Sequence, residues 1–600
     1  MTHSLKNKRL LAALLTTTIL LTSGCDEGAP SQTSQADGQN DGTSYVNYYA
    51  PGGGGFVIPA TPTVSGNFLA GQFAQQHADW VAAARHYEGI LRLSPDNLEI
   101  KQRIMVLSLG SGNFERAKAL AQELLALKEK ASGQSLAKLI VTISDFKNKD
   151  YAKVIAAQPP ETTDTIALAI LPLLKAWAAA DQGKTDIADL KANPALAYHA
   201  VMIAAYTKDK QAIADLAANI DFTKTPTPIE RVEDVADIFA AYGAKKAAQS
   251  LYAALAESVP ARRDIYMGKS KDMDGTAAIS PLYIPPANVQ NGLSQSLTSV
   301  AQLLTAQFGD SARILLELGL YLEPDNADAL ELLASEASGH ELYGEAIAYL
   351  QRIDWHGNTE EQTITQRQIA LLLEQSGQTD EAVRVLGTLP NNVEAQIQIG
   401  DIYRKQEKFK EALYAYNKAF ELAGDPVPQK YWDLIFARGM TYERLKKWDD
   451  AEKDLKLALT YEPDHPYVLN YLGYSWADQG LHLDKAAEMI EKAVRIRPDD
   501  GAIVDSLGWV YYRMGNYPKA AETLEKAIEL LPNEAEINDH LGDAYWQTGR
   551  KNEARFQWKR AVSFSKSTEF TQKTEEKISG GLTSPLSSAA QPKSDHLVSN

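Results

Sequence analysis

The side chains best equipped for covalent or metal chemistry are thinly spread along this chain. Its 600 residues contain one cysteine, Cys25, so no disulfide can form within it and thiolate ligation of zinc has no second thiol to draw on. The ten histidines are scattered, and no His-Glu-x-x-His sets two imidazoles and a base on one helix face. Gly52-Gly53-Gly54-Gly55 has the suppleness of a phosphate loop, but no Gly-Lys-Ser/Thr follows it and no apolar strand precedes it. His540 lies near Asp539 and Asp543 on a predicted helix, a spacing that mimics part of an acid/base site. A solvated histidine among helix carboxylates accounts for it without a pocket. The residues therefore point away from an enzyme: no catalytic, cofactor-binding or metal-binding set is expected.

Cys25 itself has a sharper context. Lys6, Lys8 and Arg9 precede an apolar stretch from Leu10 to Leu21, and Thr22-Ser23-Gly24-Cys25 follows. These are the basic, apolar and small-residue parts of a secretory signal. The stretch is too short to cross a bilayer, which needs about 20 residues. Leu21-Thr22-Ser23-Gly24-Cys25 resembles the lipoprotein signal of bacteria, which implies that residues 1–24 are removed and that Cys25 is acylated as the new N-terminus. Several acyl chains on one residue anchor stably, because each buried CH₂ adds about 0.8 kcal/mol. A body free of other thiols suits an oxidising compartment. Residues 25–63 are rich in Ser, Gln, Gly, Asp and Pro and read as a flexible tether. The expected location is the periplasmic side of a bacterial envelope membrane, the outer favoured over the inner. Asp26, by resemblance to enteric lipoproteins, points instead to inner-membrane retention.

What must position any binding surface is a repeat. Glycines fall at Gly400, Gly439, Gly473, Gly508 and Gly542, and after the first unit they are 34 or 35 residues apart. Each is followed by an alanine, at Ala412, Ala451, Ala486, Ala520 and Ala554, and then by a second, at Ala419, Ala458, Ala493, Ala527 and Ala561. Pro463, Pro498 and Pro532 close three units. Small residues let two antiparallel helices approach, so glycine on the first helix is expected to face alanine on the second. Tyr403, Tyr442, Trp476, Tyr511 and Tyr545 sit one turn beyond the glycine and are expected to fill the space beside the crossing. Proline stops the second helix.

With Leu472-Gly473-Tyr474-Ser475-Trp476, Leu507-Gly508-Trp509-Val510-Tyr511 and Leu541-Gly542-Asp543-Ala544-Tyr545 as first-helix signatures, the chain resembles the tetratricopeptide repeat (TPR) family. The resemblance implies an all-α fold, a right-handed superhelix (α-solenoid) of stacked helix-turn-helix units. A solenoid also explains how a chain of this length avoids a single oversized core. The expected organisation is a signal over 1–24, the tether over 25–63 and degenerate helical repeats over 64–257. A Pro/Gly-containing irregular connection over 258–292, a C-terminal array over 293–565 and a disordered tail over 566–600 complete it.

Projecting the repeat register places Asn470 and Tyr474, then Asp505, Trp509 and Tyr512, then Asp539, Asp543 and Trp546 on the groove formed by the first helices. Aromatics and carboxylates in one groove suit a protein ligand that is basic or neutral. The formal net charge of −17 agrees, and it argues against nucleic acid, whose binding draws on clustered Lys and Arg. Signal, tether and repeats together resemble large proteobacterial TPR lipoproteins, including adaptors that bring a periplasmic carboxy-terminal processing protease to cell-wall hydrolases. That resemblance implies a membrane-anchored scaffold with protein partners, a protease or envelope enzymes among them. A scaffold for envelope polymer export or outer-membrane transport would use the same groove. An enzyme hidden in residues 98–292 would require a mixed sheet with a polar pocket there.

Overall fold

The computed structural model describes residues 45–49, 55–59, 63–127, 134–159, 165–272, 285–304 and 309–582. The signal segment and Cys25 lie outside the described residues. Within the expected tether, Tyr45–Tyr49 pairs antiparallel with Gly55–Pro59, Tyr45 opposite Pro59 and Tyr48 opposite Phe56. Every other described element is a helix. That includes all those between residues 98 and 292, so the mixed sheet that a hidden enzyme would require is absent from the described residues there.

One turn recurs through the described residues and explains why the helices come in pairs. A first helix ends, the next residue or two reach a left-handed conformation, and the following backbone N–H bonds back to a carbonyl five residues earlier. Gly515 (φ 78°) and Gly549 (φ 83°) take that conformation in two late units, with Asn516 N bonded to Tyr511 O and Arg550 N to Tyr545 O. Glycine has no Cβ to clash there. Lys446, Glu407, Glu341 and Lys208 hold the same turn without glycine. Asn113, Asp79, Asp209 and Asn516 then cap the second helix by accepting from Arg116, Ala82, Ala212 and Lys519 N–H. The degenerate units over 64–257 therefore share the backbone of the clear ones.

Within the C-terminal units the glycine contact differs from the expected one. All ten alanines are fully buried, but what fills the notch at each glycine is a large side chain between the two alanines. A Cβ on Gly400 would lie 2.4 Å from Tyr416, on Gly473 2.7 Å from Ile490, on Gly508 2.5 Å from Leu524 and on Gly542 2.5 Å from Trp558. The glycine is a seat for a knob. The aromatics one turn on also differ from a simple filler. Trp476 Nε1 donates to Glu452, Tyr511 Oη to Glu491 and Tyr545 Oη to Glu525, each on the second helix of the preceding unit. They join units rather than completing one.

The chain divides into two compact units, one ending at Gln362 and one beginning at Thr363. The boundary expected over 258–292 is thus displaced. Helices Val289–Leu304 and Gly309–Leu322 turn back onto much earlier ones instead of opening a new array. Trp177 Nε1 donates to Ser296 (3.0 Å), Phe114 stacks on Tyr321 at 3.6 Å, and the buried Arg313 guanidinium donates to Gly110 O (2.6 Å) while pairing with Glu336 and Glu345. Apolar burial between helices far apart in sequence closes this unit, which periodicity alone does not reveal.

Helix Thr568–Gly580 corrects the other boundary, for the expected disordered tail starts no earlier than the end of that helix, and residues 583–600 lie outside the described ones.

The glycine seats make a comparative prediction. Gly→Ala in a helix gains about 1 kcal/mol of propensity, but at Gly508 the added carbon also meets Leu524 N at 3.3 Å, whereas at Gly439 the nearest atom is Leu455 at 3.2 Å. Gly508→Ala is expected to lower stability by about 1–3 kcal/mol through overpacking, and Gly439→Ala to change it by less than about 1 kcal/mol. Urea unfolding of the two variants checks this; equal midpoints would contradict it.

Candidate functional site

The first helices of the last three clear units are Pro466–Asp478, Gly501–Arg513 and Ala535–Gln547, and their shared face is where the expected groove residues fall. Register relates them. Asn470, Asp505 and Asp539 each precede the unit glycine by three residues, and Tyr474, Trp509 and Asp543 each follow it by one. Both positions project from one helix face, so they form two parallel columns.

The second and third helices are cross-linked along those columns. Asp505 is buried and receives His540 Nδ1 at 3.0 Å on both oxygens. Trp509 is sandwiched, stacked on Tyr512 at 5.0 Å and on His540 at 4.2 Å. His540 is therefore neither a surface group nor paired with Asp539 and Asp543 as its neighbours in sequence. Burial disfavours its cation, but Asp505, Glu536 and Asp539 outweigh that and raise its pKa to about 9. Glu536 is raised to about 8 by burial, reinforced by Asp505 and opposed by His540. Tyr474 is coupled to the same carboxylates, Glu536 and Asp505, and burial pushes its hydroxyl well above the usual range.

Asp539 and Asp543 were expected to await a ligand. They already have one. Lys577, on helix Thr568–Gly580, donates to Asp539 at 2.7 Å and to Asp543 at 2.8 Å, and Trp558 Nε1 donates to Asp543 at 2.9 Å. Burial still raises Asp543 to about 6 against the pull of Lys577. The buried Thr574 hydroxyl reaches Asp539 at 3.4 Å, 35 residues on, the same separation as Asp505 to His540. Helix Thr568–Gly580 thus stands where the first helix of one more unit would stand. Trp546 packs beneath it, with Gly581 so close that a Cβ there would sit 2.0 Å from the indole. Of the expected set, Asn470 and Trp509 remain the members with unmet polar atoms: Asn470 Oδ1 and Trp509 Nε1 are buried without a hydrogen-bond partner among the described residues.

His540, Glu536, Thr574 and Lys577 were not foreseen as members of this face. The 35-residue spacing from Asp505 and Asp539 was the available signal. Among the described residues no group of three or more His, Cys, Asp or Glu converges as a metal site. The arrangement offers hydrogen-bonding and ionic recognition on an aromatic floor.

Two consequences are measurable. Lys577→Met strands the buried Asp543 and the half-buried Asp539, which typically costs about 3–5 kcal/mol, so amide exchange in helix Thr568–Gly580 should quicken by about 100-fold or more. Adding Asp539→Asn and Asp543→Asn should restore much of the protection, and unchanged exchange in Lys577→Met would sink the assignment. The second concerns pH. His540 is raised from its ordinary 6.5 to about 9 and Glu536 from 4.5 to about 8, so the folded face favours the protonated form of both. Their contribution is complete below the ordinary values and is lost as pH climbs through the folded ones. Stability of helices Gly501–Arg513 and Ala535–Gln547 should fall as pH climbs from 4.5 through about 8 for Glu536 and from 6.5 through about 9 for His540, by on the order of several kcal/mol in all, and His540→Gln should flatten the upper part of the slope. Hydrogen exchange across that range gives the readout.

Comparisons with known proteins agree with the repeat geometry. Residues 508–549 match a family model described as TPR repeat. Residues 436–501, and residues 393–426 with 535–568, match two models described as tetratricopeptide repeat. The TPR repeat-containing protein PA4667 of Pseudomonas aeruginosa is 42% identical over 83 residues, 14% of this chain and 14% of that protein. The BBSome complex member BBS4 of Bos taurus is 34% identical over 111 residues, 18% of this chain and 20% of that protein. The chain thus spans only 14% and 20% of the length of these curated relatives. The crystal structure of the APC/C hetero-tetramer Cut9-Hcn1 is 14% identical, with 86% of this chain and 96% of that one covered and a TM-score of 0.36. Residues 393–426, 436–501 and 508–568 of this chain therefore carry tetratricopeptide repeats, a repeat type that indicates a scaffold for protein–protein interaction.

Proposed function

We propose that this chain is a membrane-tethered envelope scaffold that holds a partner protein on the first-helix face of its C-terminal array. The observation that carries the partner half of the reading is the pair of buried, unmet polar atoms on that face, Asn470 Oδ1 and Trp509 Nε1. An unpaired buried polar group costs about 1–3 kcal/mol, and an array that retains two beside stacked aromatics is arranged for a guest. The match of short stretches to a member of a multiprotein complex, BBSome complex member BBS4, is in keeping with assembly.

The tether half rests on the residues around Cys25. No described helix is long and apolar enough to cross a membrane, so the acyl chains would supply the attachment and the hairpin segment would link it to the body. A periplasmic processing protease or a cell-wall enzyme is the proposed partner class, by the resemblance in architecture to adaptor lipoproteins.

Metabolic labelling with a fatty-acid probe should mark the native chain and not Cys25→Ala; equal labelling of both would refute the anchor. Photo-crosslinking in intact cells from position 536, half-buried on that face, should capture a protease or envelope enzyme. Recovery of polymer-export or outer-membrane assembly components instead would replace that partner class with the scaffold-for-export reading.

A further inference from the structure

The first-helix face already contains one bound ammonium group, and its setting describes the guest that the neighbouring, unfilled stretch fits. Lys577 is held where the two columns of the last unit both present carboxylates, Asp539 and Asp543. One unit earlier the columns present Asp505 and Trp509, and Glu536 lies close enough to Asp505 and Tyr474 to act electrostatically on both. Asp505 has His540. Glu536 makes no ion pair with a lysine or arginine among the described residues, although the face around it is otherwise paired.

Carboxylates alone do not make a site, but a second feature points to a ligand. Asn470 is 7% exposed and its carbonyl oxygen is unpartnered among the described residues. The same register position aims Asp505 at His540 and Asp539 at Lys577, so Asn470 projects from the same face. Its oxygen needs a donor. Trp509 Nε1, also unpartnered, needs an acceptor. A free polyamine would offer donors only. A peptide backbone offers one donor and one acceptor per residue, and a cationic side chain adds the charge that Glu536 lacks.

We propose that this face binds an extended protein segment bearing a lysine or arginine, whose cation meets Glu536 and Asp505 while its backbone meets Asn470 and Trp509. This rests on the protein-binding reading above and names the chemistry of the partner. The stacked Tyr512, Trp509 and His540 form a floor beside the cation site. Glu536 stays protonated in the free face up to about pH 8 and His540 is already paired with Asp505, so the arriving cation takes the place of the Glu536 proton and its preference strengthens as pH rises towards 8.

The test uses the whole chain and two libraries of acetylated, amidated nonapeptides that differ only at the fixed central residue, arginine or its neutral isostere citrulline. Fluorescence polarisation should show the arginine library binding about 10-fold tighter or more, as expected for one desolvated ionic contact. Glu536→Gln, nearly isosteric, should bring the two libraries to within about 2-fold of each other. Asn470→Ala should weaken both by a similar factor, about 5- to 10-fold, and leave their ratio unchanged. Equal binding of both libraries by the native chain would overturn the cationic segment while leaving a protein-binding face intact. No binding of either library would overturn the peptide site itself, with the crosslinking result then deciding the scaffold reading separately. An arginine preference that survives Glu536→Gln would remove that residue from the site. Amide exchange in the variants, compared with the native chain, separates loss of contact from loss of fold.

Discussion

Two antiparallel helices can pack closely only where one of them yields space, and in the C-terminal array that space is a glycine notch. Tyr416, Ile490, Leu524 and Trp558 each enter the notch of Gly400, Gly473, Gly508 and Gly542, flanked by alanines that are wholly buried. Because a large knob fills a small hole, the pair has one register and little freedom to slide. The aromatic residue a turn further on is then carried past the crossing, to the second helix of the preceding unit, where Trp476, Tyr511 and Tyr545 find Glu452, Glu491 and Glu525. Pairing within a unit thus sets the stacking between units.

Stacking in turn buries part of the first-helix face, and burial changes what its carboxylates can be. In water an aspartate needs no partner; half-enclosed between helices, it must be neutralised or matched. Asp505 is matched by His540, and Asp539 and Asp543 by Lys577. Each cation comes from the next first helix along the chain. The lone helix Thr568–Gly580 therefore ends the array by the same ionic device that joins its members, covering Trp546 as it does so. Glu536 and Asn470 are left with an incomplete set of partners on this face, which gives the array a place where an outside chain can continue the pattern.

The N-terminal unit solves burial differently. Its hairpins share the left-handed turn of the late repeats, yet helices Val289–Leu304 and Gly309–Leu322 fold back across the earlier ones. Arg313 is the pin, fully buried, bonded to Gly110 O and paired with Glu336 and Glu345. Tyr349 Oη, 2.6 Å from Glu317, extends the network. A buried guanidinium demands every one of these acceptors, so the return of the chain and the charge network require each other.

Helix pairing and the location of the clear repeats were legible in the residues, because both follow from short-range rules: glycine and alanine at fixed intervals and proline after the second helix. The knob in each glycine notch was not legible, since spacing shows which residues are small but not which side chain uses the gap. Nor was the helix at Thr568–Gly580, whose Ser-, Lys- and Thr-rich composition reads as unstructured until Asp539, Asp543 and Trp546 supply its partners. The return of residues 289–322 onto residues 110–177 was hidden for the same reason. Local preference and periodicity are written along the chain, whereas the partner of a buried charge or an aromatic ring is chosen only when distant segments are brought together.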